Sequence, residues 1–504
     1  MMKKQNSWLQ RASSVLTTRR FWWFIVGLLV VQAGWIALSG KYPLAFDEDF
    51  HLGIIKLYAH HISPFWSHQI EAADPFGAVA RDPSYLYQYL MSFPYRFLTL
   101  FTHNQSVIII IFRFINIAFF ATGLALFRKL LLKLGISRAL AHFCLLVFVL
   151  LPIVPLLAAQ INYDNLLLPL VALALLQTLK VEAALSRDKR LDAKLLLQLL
   201  VLCLLTSLVK YAFLPVFVAI GGFLLVRYWH NRRSVRLASL VVSWKGLSRW
   251  LQIGLVAGLV VSGGLFVERF GINLVHYHTP LPDCSKVLSV ESCSEYGPWI
   301  RDYNFEINKV ANERNPLVYT GDWFYGMWLR TFFAVSGPYN DFETRGPLLL
   351  PSLSAIAFTV FGGVAFLLTA KRLFKRYEAP VIWLFLSVSA VYTGFLWLDE
   401  YRAWVRTGQP VAINGRYLIA IFPLVMALMA AGVSELTRRQ PRWRPVLATL
   451  AVFCLVWGGG VFTFILRSND GWYWNSGAVR SVNHDIQKVL GPITPGYRNP
   501  VQFL

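Results

Sequence analysis

The chain has 504 residues, of which 56% are hydrophobic, 15% aromatic and only 15% charged, with a mean hydropathy of +0.51. A soluble domain carries about 25% charged residues, so that class is excluded, as are intrinsic disorder, a collagen (33 Gly) and a disulfide scaffold (5 Cys). The formal net charge of +22 then reads as membrane sidedness, with no nucleic-acid partner implied.

Eleven apolar stretches approach the length of about 20 residues that a bilayer needs. In chain order they are 21–39, 107–127, 139–158, 166–180, 195–209, 212–229, 250–268, 347–370, 380–398, 416–434 and 445–466. The stretches at 166–180 and 195–209 are short. The first stretch lacks a small-residue cleavage site and runs directly into an acidic cluster, so it reads as a retained span rather than a signal peptide.

Charge assigns the sides. Segments 1–20, 128–138, 180–194, 227–249, 371–376 and 438–444 hold 28 of the 48 lysines and arginines. That side has only five of the 26 acids: Glu182, Asp188, Asp192, Glu378 and Glu435. Basic short loops stay cytoplasmic, so the N-terminus is expected inside and the C-terminus outside. The expected fold is an all-α polytopic membrane protein. A cytoplasmic segment, 1–20, precedes a membrane domain, 21–466, with outer loops at 40–106 and 269–346. An extracytoplasmic tail, 467–504, follows.

The outer loops carry the chemistry-bearing residues. Asp47-Glu48-Asp49-Phe50-His51 follows the first span. Adjacent carboxylates at a membrane boundary repel each other and call for a metal, a cationic group or a proton-transfer task. The plain alternative is a solvated loop. His60, His61, His68, Glu71, Asp74, Arg81 and Asp82 follow among apolar and aromatic residues, a pattern suited to helices lying in the interface. Pro83 before an aromatic run marks a helix start.

A second cluster, Asn162-Tyr163-Asp164-Asn165, sits in the outer turn between spans three and four. Asp164 reads equally well as a helix cap. Lys210, Arg416 and Arg113 lie near or within spans, where charge is costly and usually faces a cavity or a partner. Three cations near one face suit an anion such as phosphate, although Lys210 and Arg416 would also serve as headgroup-snorkelling residues. Cys284 and Cys293 share the second outer loop and are placed to form a disulfide. Cys144, Cys203 and Cys454 lie in spans. Phosphate-loop, dinucleotide and zinc-protease motifs are absent from the sequence.

These pieces together resemble a known family. An acidic pair after the first span, an outer loop of interfacial helices and many following spans are similar to the GT-C superfamily of polyprenyl-phosphate-sugar-dependent membrane glycosyltransferases. That superfamily includes the protein O-mannosyltransferases and lipid A aminoarabinose transferases. Asp47-Glu48-x-x-His51, Asn162-Tyr163-Asp164-Asn165, Lys210-Tyr211 and Asn414-Gly415-Arg416-Tyr417 resemble a bacterial branch of it. The likeness covers roughly 20–434. Asp82-Pro83-Ser84-Tyr85 departs from the branch's His-Pro-Pro form, and the extra Asp49 leaves open which carboxylate is the base.

The resemblance implies a GT-C-like bundle in a bacterial cytoplasmic membrane. It implies transfer of a sugar from a polyprenyl-phosphate carrier to a glycan, lipid or protein acceptor on the outer face, usually with inversion. Asp47, with Glu48, would be catalytic. Lys210, Arg416 and Arg113 would bind the donor phosphate. Asp49, His51, Asp164, Asn165, Tyr211 and Tyr417 would contact donor or acceptor. The resemblance fixes no cofactor; some members of the family use a metal and others do not, and Asp47, Glu48 and Asp164 are the candidate ligands for a divalent ion.

Two rivals remain at this stage. A transporter of lipid-linked glycans would spread charge deep in many spans, and this chain has little there. A polysaccharide polymerase or ligase would rely on outer-loop Arg and His, and Arg269, His276, His278 and Arg301 fit that pattern. The second loop is expected to recognise the acceptor, with Trp299, Trp323, Tyr325 and Trp328 as sugar-stacking candidates.

Overall fold

A computed structural model describes residues 14–45, 47–66, 68–309, 315–333, 349–411 and 413–494. The protein is an all-α integral membrane protein, with no strand among the described residues. Eight helices among them are long and apolar enough to cross a bilayer. Helix is the natural form for such sequences, because each backbone N–H and C=O is satisfied within its own segment.

The described residues of all eleven apolar stretches are mostly helical, but not all as single long runs. The short stretch at 166–180 is the middle of a 23-residue helix, Asp164–Ser186. The stretch at 139–158 divides into Arg138–Leu150 and Ile153–Ala158. Ala193–Val209 has 17 residues. The stretch at 416–434 opens as a 3-10 turn, Gly415–Ala420, before Phe422–Leu436. The expected span at 250–268 continues to Tyr277 as one 29-residue element. Parts of the N-terminal segment, the second loop and the tail lie outside the described residues.

Helix starts follow local chemistry. Thr18, Asn104, Ser137, Asp192 and Ser248 accept hydrogen bonds from first-turn N–H groups, which would otherwise have no partner. Tight contact between Leu349–Arg376 and Phe422–Leu436 needs Gly432, where a Cβ would overlap the Phe366 backbone. Small residues permit such close helix approach in lipid, where water gives no hydrophobic drive.

The two ends of the bundle differ. At one end the basic connections meet. Glu378 N–H donates to Leu134 O (3.3 Å), Arg227 pairs with Glu182 (2.7 Å) and Arg376 with Glu435 (2.5 Å). At the other end the tail returns to the exit of the first span. Lys41 N–H donates to Trp472 O (2.7 Å) and Trp474 N–H to Ser39 O (3.1 Å).

The first loop lies at this second end. It contains Glu48–Ala59 and Leu86–Thr99, tied together by Arg96 donating to Tyr58 O (2.6 Å). Leu90, Phe93, Phe97 and Phe101 are exposed. At spacings of three and four they form one apolar stripe, as an interfacial helix requires.

Candidate active site

The first span ends at Ser39, and the chain turns before the next helix begins at Glu48. Asp47 makes that turn in the left-handed region (φ 64°, ψ 31°). Asp tolerates this conformation better than most residues, and such positions concentrate at functional sites. The consequence is that neighbouring acids take different environments.

Glu48 is fully buried and accepts two hydrogen bonds from Arg113, at 2.8 and 2.7 Å. It also accepts from Leu44 N–H (2.8 Å) and Ile161 N–H (3.3 Å). Arg113 spends its remaining reach on Ala37 O (2.9 Å) and Gly40 O (2.6 Å). The charge inside the second span is thus met by a carboxylate and by the carbonyl end of the first span. Arg113 holds Glu48 and does not face the other two cations.

Asp47 keeps 54% of its side chain exposed and accepts from Arg416 at 2.5 Å, while Arg416 is 6% exposed. Arg416 is aimed by its own turn, in which Asn414 Oδ1 accepts the Arg416 N–H (3.1 Å). Gly415 has to be glycine, since a Cβ there would overlap Thr331. Arg416 also donates to the Tyr417 hydroxyl (3.4 Å).

Lys210 ends the helix Ala193–Val209 in an extended conformation. Its ammonium donates to Asp164 Oδ1 at 2.6 Å. It lies 4.5 Å from the Tyr163 ring centre and 4.9 Å from that of Tyr417, a cation–π cage. Asp164 Oδ2 is buried without a hydrogen-bond partner among the described residues. Asn165 is a framework residue: its amide donates to Leu157 O, Gln160 O and Asn116 Oδ1.

His51 is buried, 4.4 Å ring to ring from Tyr163. The Gln88 amide donates to Ser84 O (2.8 Å) and Tyr85 O (3.2 Å), and its oxygen accepts from His51 Nδ1 (3.2 Å). Burial, with Arg416 and Lys210 nearby, pushes the imidazole down to about 3 against the opposing pull of Asp47. It is therefore a neutral group near pH 7. For Asp47 burial works upward, but the Arg416 ion pair outweighs it and holds the carboxyl below its usual range.

Rings and ion pairs therefore join Asp47, Arg416, Tyr417, Lys210, Tyr163, Asp164 and His51 into one cluster at the end of the bundle that carries the first loop. Tyr211 borders it, with its N–H donating to Ser84 Oγ (3.0 Å). Asp49 is exposed on the first turn of its helix, where an acid suits the helix dipole, and stands apart. The three carboxylates considered as metal ligands each face a different cation. Among the described residues no three metal-ligating side chains converge.

Some neighbours come from places the sequence did not mark. Tyr296 of the second loop packs on Phe50 (6.1 Å) and against Gly77. Tyr392 donates to Tyr417 O (2.7 Å). The sugar-stacking candidates are mostly framework. Trp299 is buried beside the bonded Cys284 and Cys293 and donates to Asp283 (3.2 Å). Trp323 is buried and donates to Glu400, and Trp328 donates to Thr359 (3.2 Å). Tyr325 is exposed. In the rival set, Arg269 is buried on Ala80 O and Pro64 O and Arg301 pairs with its neighbour Asp302 (2.7 Å). His276 and His278 are exposed.

No protein-family model and no curated protein matches the chain. Among solved structures it is similar to the oligosaccharyltransferase of Archaeoglobus fulgidus. Tethered to an acceptor peptide, that enzyme gives a TM-score of 0.42 at 13% identity, over 95% of this chain and 56% of that one. Complexed with an inhibitory peptide and a dolichol-phosphate, it gives 0.41 at 12%, over 96% and 57%. The chain thus spans little more than half the length of these neighbours. Likeness at this level establishes neither a shared site nor a shared activity.

Proposed function

We propose that the protein is a membrane glycosyltransferase. It moves a sugar from a polyprenyl-phosphate carrier to an acceptor hydroxyl on the extracytoplasmic face, with inversion. The observation that carries the reading is the half-exposed carboxylate of Asp47 set against Arg416, with Lys210 in the same cluster. A general base and two anion-binding cations stand together, and the first loop at the same end carries an apolar stripe suited to a prenyl chain.

Asp47 takes the proton from the acceptor hydroxyl as its oxygen bonds to the anomeric carbon. The bond from that carbon to the phosphate oxygen breaks, and its electron pair leaves with the polyprenyl phosphate. Arg416 and Lys210 stabilise the departing anion. Attack and departure on opposite faces give inversion. Arriving phosphate competes with Asp47 for Arg416, and a carboxylate released from its cation becomes more basic. Base activation is thereby tied to donor binding. Glu48 and Arg113 position the turn that carries Asp47. Asp164 holds Lys210, and the Tyr163 and Tyr417 rings cage it.

Orientation follows the charge bias, with the basic end cytoplasmic and the membrane that of a bacterial cell. The test is release of polyprenyl phosphate by purified protein offered a panel of polyprenyl-phosphate sugars with a glycan extract. Turnover that requires Lys210 and Arg416 is expected. Absence of turnover across the panel, or turnover indifferent to both cations, would overturn the reading.

A further inference from the structure

A cavity of about 600 Å³ lies where the second loop folds over the first. This is within the range of roughly 300–1,000 Å³ usual for small-molecule sites. Trp66, His68 and Arg81 line it from the first loop, and His276 and Tyr277 from the second. A further wall is the segment 287–289, which lies between the bonded Cys284 and Cys293. The disulfide therefore braces that wall.

Arg81 and Gln69 of the lining are already engaged within the protein. Arg81 donates to Glu268 Oε1 (3.0 Å), Glu268 O (2.7 Å) and Asn273 Oδ1 (2.8 Å), so the cation among the described lining residues is paired, with a carboxylate it shares with the buried Arg269 (3.2 Å). Gln69 is also committed, to Asp74, Gly77 and Ala80. The groups left for a ligand include two exposed imidazoles, a phenol hydroxyl, two aromatic rings and the Trp66 indole N–H, which has no partner among the described residues.

This combination selects a chemical class. An anion would require a cation without a counter-charge, and an apolar ligand would require a lining without polar edges. A sugar ring presents C–H groups to an aromatic face, with hydroxyls around its rim for imidazole and phenol partners. The chain also links the cavity to the ion-pair cluster. Ala80 and Arg81 run into Asp82–Ser84, and Ser84 Oγ accepts from the N–H of Tyr211, the neighbour of Lys210.

We propose that this cavity is a binding subsite for a neutral saccharide, held between Trp66 and Tyr277 and hydrogen-bonded by His68 and His276. Its role as the seat for the non-reacting part of an acceptor glycan rests on the transferase reading. Its affinity for the saccharide does not.

The test is saturation-transfer NMR on the full chain in lipid nanodiscs, without any donor. The probes are chitobiose, mannobiose and lactose, with glucuronate and glycerol phosphate as anionic comparisons. At least one neutral disaccharide should bind. Its Kd should rise tenfold or more in Tyr277→Ala, at a half-buried residue, and in His68→Ala/His276→Ala, at two exposed ones, and stay unchanged in Ser234→Ala at the opposite end of the bundle. Lack of binding by all three neutral probes, affinity undiminished in both cavity variants, or equal competition by the anions would overturn the proposal. Failure of the transferase reading would appear instead as donor turnover indifferent to the cluster, which this assay does not touch.

Discussion

The Asp47 carboxylate and the Arg416 guanidinium are 369 residues apart in sequence and 2.5 Å apart in space. One immediately precedes the helix Glu48–Ala59 that follows the first span, and the other lies in the 3-10 turn Gly415–Ala420. Their contact joins the two ends of the membrane domain at the site, and in the proposed reaction it pairs the base with a phosphate ligand.

The Lys210–Asp164 pair should separate function from stability. Lys210→Met leaves Asp164 buried with neither oxygen paired, and uncompensated buried charge costs on the order of 3–5 kcal/mol. It should also raise the donor KM. The double variant Asp164→Asn/Lys210→Met should recover Tm but not KM. Recovery of both would reduce Lys210 to a structural residue.

Glu48 and Arg113 should behave as one unit. Either single replacement, Glu48→Gln or Arg113→Met, strands its buried partner and should lower stability by about 3–5 kcal/mol. A double-mutant cycle read by thermal unfolding should show strong coupling, with the double variant close to either single one. Additive losses would mean that the two side chains act separately.

The pH profile should report Asp47. Its carboxyl is held low because the Arg416 pair outweighs burial. That pair therefore stabilises the fold above the unfolded carboxyl pKa of about 4, and the contribution fades as pH falls through the lowered value. For kcat/KM, which follows the free enzyme, the acid limb should lie below about pH 4. Arg416→Gln leaves burial to dominate and should move the limb to higher pH. His51, at about 3, should add no inflection near neutrality. An acid limb that stays in place in Arg416→Gln would assign it to another group.

Sidedness is open to a direct check. Ser63 lies at the site end and Ser234 at the basic end, both exposed. A membrane-impermeant thiol reagent applied to intact cells should label Ser63→Cys and spare Ser234→Cys. The reverse pattern would turn the site toward the cytosol.

Much of the fold was legible because apolar runs and basic short loops obey one-dimensional rules. The helix ends were less so. The 250–268 stretch runs on to Tyr277 because the second loop starts as a continuation of the helix. Asp47, Asp164, Lys210 and Arg416 stand out in sequence as charges at the ends of apolar stretches, but their partners do not. The left-handed turn at Asp47 sends it and Glu48 to different cations, and nothing in the string Asp-Glu-Asp announces that turn. Arg113 reads as a phosphate ligand in sequence, yet helix packing points it at Glu48. Tyr296 reaches Phe50 only because the second loop folds onto the first, a long-range contact without local signature.

The most direct measurement is single-turnover sugar transfer by purified enzyme preloaded with its polyprenyl-phosphate donor, comparing wild type with Asp47→Asn. Asp47 is partly exposed, so the variant should fold and bind donor. Its transfer step should slow by about 10²-fold or more, as loss of a general base requires. Transfer at the wild-type rate from equally loaded Asp47→Asn would contradict the assignment of the base.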